Sequence, residues 1–338
     1  MVQNEPGVII GPIAMVFGFI IDFIFEIVHS FTIYHSLGLS IILLTIIVRT
    51  MMLPLGLKQQ KSMMAMQKLA PEIAKIKKKY PEKDKDSQQK MNAEIQKLYA
   101  DNKVNPLSGC LPLLIQMPMF FGLSFIMNQS YLYVSRLGNL YSQVSTYLIN
   151  YMPHADYIRT MNEIAIPLTP QRMIDDGAIN LTVISDVNRV INAFGSEQWQ
   201  VIFDRMPTQY LQGLLDLIQD KNAIEIFFGM ALTEASGLMW PGIMIPILAV
   251  ASAVLTSYLT SKMSVATDDK AKAQQKMMMV VMPVMMGVMT IGLPAGVGIF
   301  WITSSVYQIG QQAVLNKKAG INILPKWINL PFLNKKEE

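Results

Sequence analysis

With 51% hydrophobic residues, only 15% charged ones and a positive mean hydropathy over 338 residues, the chain is too apolar for an ordinary water-soluble domain; a multi-span membrane protein is the natural class. The net charge of +4 is small, so the placement of charges along the chain matters more than their sum. A single cysteine, Cys110, excludes an internal disulfide framework and a cysteine metal cluster.

The first residues, MVQNEPG, lack the basic leader of a secretory signal and the Arg-rich character of a transit peptide, and no nearby cysteine could accept a lipid. Val8 to Phe31 is apolar and long enough to span a membrane. Asp22, Glu26 and His29, however, recur at i, i+4 and i+7 on one helical face, so an interfacial amphipathic helix in an N-terminal extracytoplasmic segment, 1–36, is expected. Length alone argues for a span.

Five further stretches approach the roughly 17 to 25 apolar residues that a hydrocarbon layer about 30 Å thick requires: Leu37 to Leu57, Leu107 to Met127, Trp240 to Leu259, Met277 to Leu293 and Ala295 to Leu315. The second carries Pro106, Pro112 and Pro118, which kink a helix and free backbone groups for other partners. Between the first two spans, residues 58–105 hold 12 lysines against 6 acids, which places this segment in the cytoplasm. Its apolar stripes, Leu69, Ile73, Ile76 and Tyr80, then Met91, Ile95 and Leu98, predict a helical hairpin broken at Tyr-Pro-Glu-Lys-Asp-Lys-Asp. The run Lys75, Lys77, Lys78 and Lys79 reads either as a solvated helix face or as a contact for the anionic leaflet, ribosomal RNA or acidic protein partners.

After the second span segment, 106–130, residues 131–239 carry 6 basic groups against 11 acidic ones and form an external, mainly helical insertion, with helix-like spacing at 187–194 and 209–218. The third span segment, 240–261, leads into a basic cytoplasmic loop, 262–276. The fourth and fifth spans, 277–315, end in a basic cytoplasmic tail, 316–338. The N-terminus is therefore outside and the C-terminus inside.

Arg49 lies inside the first span, roughly nine residues or about 13 Å of helix from Lys58, which is far for snorkelling. An arginine at the centre of a span costs about 2.5 to 3.5 kcal/mol on insertion scales, so it faces water or a partner. None of the five spans contains an aspartate or glutamate, which implies a hydrated cavity; the alternative is that Arg49 reaches headgroups through local thinning of the bilayer. Gln116, the second polar group at membrane depth, either caps carbonyls freed by Pro118 or shares the cavity with Arg49. Met278, Met282, Met285 and Met289 fall on one face of the fourth span, beside Met279 and Met286. That face suits varied apolar partners or ordinary lipid packing; copper(I) binding by thioethers competes, but the histidines and Cys110 do not gather there.

The order of motifs resembles the YidC-type membrane protein insertases, nearest the Gram-positive bacterial branch. The likeness runs over residues 6–130 and 240–316. It is carried by Val-Arg-Thr-Met-Met-Leu-Pro-Leu ending the first span, the following Lys-Gln-Gln-Lys, and Asn-Pro-Leu-Ser-Gly-Cys-Leu-Pro-Leu-Leu-Ile-Gln-Met-Pro-Met-Phe-Phe at 105–121. Met-Met-Met-Val-Val-Met-Pro-Val-Met-Met at 277–286, Leu-Pro-Ala-Gly at 293–296, Phe-Trp at 300–301 and Gln-Gln at 311–312 complete it. The resemblance implies an all-α integral membrane protein of the bacterial plasma membrane, with five transmembrane helices forming a groove open to the cytoplasm and to lipid. Arg49 matches the groove arginine, and Gln116 and Trp301 match groove-lining positions. The family's lipid-attachment cysteine is missing, the third span near Thr256 and Ser257 aligns only loosely, and the 131–239 insertion exceeds the family's usual connection.

An insertase needs no catalytic residues, cofactor or metal, and the chain has no phosphate-binding loop. Its expected partners are nascent membrane proteins and membrane lipids, with the ribosome, the signal recognition particle receptor and the Sec translocon beside them, and no DNA. An intramembrane hydrolase fits poorly, since His29, His35 and His154 lie outside the five spans and no Gly-x-Ser-x-Gly elbow occurs. An anion channel or transporter, and a scaffold of the Sec machinery, remain the competing readings. Cysteines introduced into a C110S background at Lys90 and at Gln200 test the sidedness. A membrane-impermeant maleimide applied to intact cells should label position 200 and spare position 90; the reverse pattern overturns the orientation.

Overall fold

The computed structural model describes residues 10–80, 84–104, 111–168, 179–261 and 277–318. Pro106, Cys110, the Lys262 to Lys276 loop and the tail beyond Lys318 lie outside them, as do the side chains of Pro112, Met278 and Met282. The described residues are overwhelmingly helical, and the chain divides into two compact units.

The first unit comprises residues 1–44, 118–245 and 290–300. Helix α1, Ile10–Phe31, and the start of α2, Ser36–Met51, are joined by a tight turn. In that turn His35 adopts φ 63°, its N–H donates to Ala223 O at 3.0 Å, and its ring Nδ1 donates to Ile226 O at 2.6 Å. The end of α5, Leu111–Asn128, is followed by one turn, α6, Ser130–Tyr133, and then by the hub of the insertion, α7, Ser135–Tyr151.

Along α7 the buried residues Leu137, Tyr141, Val144 and Leu148 recur at helical spacing. Around it are α8, His154–Leu168, α9, Ile184–Ile191, α10, Ser196–Arg205, and α11, Thr208–Glu225. Val187, Val190 and Ile191 of α9 and Leu214 and Ile218 of α11 are buried with the α7 stripe. The polar groups there are paired: Ser145 Oγ donates to Asn188 Oδ1 at 2.6 Å, and Tyr157 Oη to Leu181 O at 2.6 Å. Residues 187–191 and 209–218 are helical as their spacing predicts, but the first helix stops at Ile191 and 192–194 form a turn; α7, α8 and α10 were not individually legible.

A buried ion pair closes this core. Lys221 and Glu225, 7% and 1% exposed, meet at 2.6 Å, one turn apart on α11. Tyr141 Oη donates to the other Glu225 oxygen at 3.0 Å, and Lys221 Nζ stands 5.2 Å from the centre of the Tyr141 ring. Burial and the adjacent carboxylate push the Tyr141 phenol well above its ordinary pKa, so it remains a donor. Beyond Glu225 a short hairpin pairs β1, Ile226–Phe227, with β2, Met230–Ala231.

The second unit comprises residues 45–117, 246–289 and 301–338. The predicted first span ends early. After Met51 the chain bends by 52° into α3, Leu53–Lys79, because Pro54 in its first turn has no N–H to donate back and crowds the residue before it. Helix α3 and α4, Lys85–Asp101, form the predicted hairpin; Asp84 caps α4 by accepting from Ser87 N at 3.3 Å.

The third predicted span is α12, Met244–Ser261. The fourth is a π-turn, Met277–Val281, followed by α13, Met282–Ile291, and the fifth is α14, Ala295–Lys318. The π-turn lengthens the repeat to i→i+5, so the methionine face drawn at a constant 3.6-residue period is out of register across it. Among the described residues only Gly11–Phe31 is long and apolar enough on its own to cross a bilayer. The bent pair Ser36–Met51 with Leu53–Gln59 is a second candidate, and Met244–Thr260 and Met279–Ile291 are shorter apolar helices. The five-span expectation therefore meets shorter and broken helices, and the stretch assigned to the interface passes the length test.

Removing one partner of a buried ion pair strands the other. Lys221→Ala is expected to destabilise the insertion by about 3 to 5 kcal/mol, and Lys221→Met with Glu225→Leu to recover part of that loss. Denaturant unfolding in detergent, read by protease resistance of residues 131–239, checks both.

Candidate functional site

The polar residues singled out at membrane depth come together in the second unit. Arg49 lies on the last turn of α2, half-buried, with Thr45 one turn earlier and fully buried. Arg49 Nη2 donates to Gln116 Oε1 at 2.8 Å. Gln116 therefore does not serve mainly as a cap for Pro118; it shares the environment of Arg49, across 67 positions of sequence. Pro118 itself is accommodated inside α5.

This hydrogen bond dictates the chemistry presented by the pair. A guanidinium has five N–H donors and no acceptor, so the Gln116 oxygen, not its nitrogen, must face it. The Gln116 amide is thereby oriented, and its buried Nε2 has no hydrogen-bond partner among the described residues. Both side chains then offer donors, a combination that suits carboxylates and backbone carbonyls.

A third residue was missed by sequence reasoning. Tyr307 Oη on α14 lies 3.1 Å from Thr50 Oγ1, the residue next to Arg49, and Thr50 Oγ1 also donates to Ile46 O at 2.8 Å. The signal was present: Thr303, Ser304, Ser305, Tyr307, Gln308, Gln311 and Gln312 crowd polar groups into an otherwise apolar helix. Trp301 is half-buried on α14, but six residues from Tyr307 and so about 120° around the helix. On α12 the hydroxyls of Ser252, Thr256 and Thr260 bond back to carbonyls of their own helix. Such bonds satisfy hydroxyl groups in an apolar setting. Thr256 Oγ1 also lies 3.5 Å from Ser305 O.

Met285 and Met289 are exposed on α13. Gly287 lets that helix approach α12 closely: a Cβ there would collide with Val250 and stand 3.4 Å from Pro246 O. In the α3–α4 hairpin one of the four lysines has a described carboxylate partner. Lys79 donates to both Glu94 oxygens at 3.0 Å, which raises its own pKa and lowers that of Glu94, while Lys75, Lys77 and Lys78 are exposed. The described residues contain no group of three or more His, Cys, Asp or Glu side chains able to hold a metal ion.

Comparison with known proteins adds to this geometry. The model of the family described as 60Kd inner membrane protein matches residues 27–321. The chain is similar to membrane protein insertase YidC 1 of Lactococcus lactis, 57% identical over 86 residues, which is 25% of this chain and 32% of that protein. It is similar to membrane protein insertase YidC of Oceanobacillus iheyensis, 26% identical over 280 residues, 83% of this chain and 74% of that protein. The corresponding protein of Clostridium perfringens is 41% identical over 151 residues, 42% of this chain and 60% of that protein. The high-identity matches thus span from about a third to three fifths of those relatives' length.

Replacing Gln116 separates stability from chemistry. Gln116→Leu removes a hydrogen bond to a charged group and should cost about 1.5 to 3 kcal/mol, read as a lower melting temperature in detergent. Gln116→Glu supplies an internal counter-ion and should raise that temperature.

Proposed function

Because the chain belongs to the 60Kd inner membrane protein family, we propose that it is a bacterial membrane protein insertase and chaperone that helps nascent hydrophobic segments enter and fold in the bilayer. The observation that carries this reading is the Arg49–Gln116 pair, a donor-rich site on helices otherwise made of apolar residues. The insertase names of the similar proteins support it.

In this reading α2, α5, α12, the π-turn with α13, and α14 are five spans around a hydrated groove that contains Arg49, Gln116 and Trp301. The protein sits in the plasma membrane with its N-terminus outside and its C-terminus in the cytoplasm. Helix α1 lies along the outer interface. This placement is supported by Asp22 and Glu26, midway along it, which are held by Ser135 and Arg136 at the start of α7: Ser135 N and Oγ donate to Asp22 at 2.8 and 2.7 Å, and Arg136 pairs with Glu26 at 3.2 Å. An α1 standing upright across the bilayer would draw the first turn of the external insertion into hydrocarbon.

A substrate whose outward-going tail carries carboxylates docks on the Arg49 and Gln116 donors, while its apolar stretch rests against the face of α13 that exposes Met285 and Met289. It then slides into lipid. Leucine-like residues contribute roughly −0.3 to −0.6 kcal/mol each on the insertion scale, so a twenty-residue span needs no nucleotide, and the chain performs no covalent step. An inside-negative potential favours outward movement of each acidic charge by about 2.3 kcal/mol per 100 mV. The exposed Lys75, Lys77 and Lys78 suit a ribosome, the signal recognition particle receptor or the Sec translocon at the cytoplasmic face.

Insertion of a single-span substrate with an acidic N-terminal tail into vesicles tests the mechanism. Arg49→Ala should lower insertion about ten- to a hundredfold, the equivalent of one charge-assisted hydrogen bond. Arg49→Lys should retain most activity, and neutralising the tail should relieve the defect. Equal insertion by all three proteins would remove Arg49 from the mechanism, and no insertion by the native protein would favour a channel or a scaffold of the Sec machinery.

A further inference from the structure

The external insertion is acidic and its helices bury their apolar faces: between residues 135 and 225, no exposed large hydrophobic side chain among the described residues exceeds 44% exposure. Two loops of the same unit behave differently. Phe31, Ile33 and Tyr34 end α1, and Phe228, Leu238, Met239 and Trp240 precede α12; all are more than half exposed, with Phe31 at 86%, Phe228 at 73%, Met239 at 84% and Trp240 at 77%. Residues 226–242 contain one charged side chain, Glu234.

These residues are held at a common place by the backbone. His35, in the turn entering α2, bonds to Ala223 and Ile226 and stacks on Phe228 at 5.9 Å between ring centres. A Cβ on Gly229 would touch Pro241, just ahead of α12, at 3.5 Å. The segment after the hairpin then bonds across the turn that enters α14: Ala295 N to Glu234 O at 2.8 Å, Gly296 N to Leu232 O at 2.9 Å, Ser236 N to Leu293 O at 3.1 Å and Gly237 N to Ile291 O at 3.0 Å. Three helix starts, those of α2, α12 and α14, are thus knitted to one strip of chain, and the exposed aromatic and methionine side chains are borne on it.

The hairpin tip adds an independent sign. Phe228 and Gly229 have φ of 48° and 80°, the geometry of a two-residue hairpin turn whose first place favours asparagine, aspartate or glycine. A phenylalanine in the left-handed region is strained, and although its ring meets His35 and Phe227 it remains 73% exposed, so little burial offsets the strain within the chain, which points to a contact made outside it.

We propose that this strip is a membrane-interface collar: Phe228, Leu238, Met239 and Trp240, with Phe31 and Tyr34, enter the headgroup and upper acyl region of the outer leaflet and anchor the 131–239 insertion against the bilayer. The occupant is lipid because the strip is continuous with the first turns of three helices read as membrane spans. Aromatic side chains at that level sit with the ring in the boundary and the polar edge in water. The inference rests on the membrane-spanning reading given above.

Photo-crosslinking in native membranes tests it, with p-benzoylphenylalanine placed singly at 228, at 239, at exposed Gln200 of α10, and at exposed Val288 of α13. Lipid adducts at 228 and 239, several-fold above those at 200 and comparable with those at 288, are expected. Discrete protein adducts at 228 and 239 in place of lipid would overturn the collar in favour of a protein partner. Labelling at 288 with none at 228 or 239 would place the strip in water and overturn the collar alone, and absence of lipid adducts at 288 would overturn the spanning reading together with it.

Discussion

A guanidinium on an otherwise apolar helix is the constraint around which the second unit is arranged. Arg49 cannot be neutralised at any ordinary pH, and the predicted spans contain no carboxylate to pair with it. One described bond runs to the carbonyl of Gln116, which satisfies a donor without cancelling the charge. An aspartate or glutamate in that place would form an internal ion pair and leave little attraction for an incoming acidic group. A neutral partner orients the arginine and preserves its charge.

The first unit obeys a second constraint, that every charge drawn into contact with apolar elements must find a partner. Asp22 and Glu26 interrupt an apolar α1, and the start of α7 meets them with a backbone N–H, a hydroxyl and an arginine. Lys221 and Glu225 are buried only as a pair, with Tyr141 completing the carboxylate. From this anchored end of α11 the chain runs directly into the hairpin and across the entrance to α14. Gly296 of the Leu-Pro-Ala-Gly motif is needed there: a Cβ would meet Met127 Sδ at 2.6 Å, Ile41 Cδ1 at 3.1 Å and Leu232 O at 3.2 Å. Only a residue without a side chain lets these elements converge.

Much of this was legible before folding, and the misses have definite causes. The α3–α4 hairpin and the helical character of the insertion follow from periodicity, which is a local property. The early end of α2 was signalled by Pro54, but a hydropathy run does not register a bend. The methionine face assumed an uninterrupted α-helix, and the π-turn at Met277–Val281 shifts its phase. Tyr307 was overlooked because it is one of seven polar residues on α14, and composition does not say which of them reaches Thr50 beside Arg49.

The sequence by itself determined the class of the protein, the sidedness expected from its lysines, the presence of an arginine within an apolar stretch that has no aspartate or glutamate, and the family whose motifs it carries. Tertiary structure alone decided who meets whom: Gln116 with Arg49 across 67 positions, Asp22 with Ser135 across 113, and His35 with Ile226 across 191. The physical reason is that helical periodicity specifies which face a residue occupies, while the partner of that face is chosen by packing between segments distant in the chain.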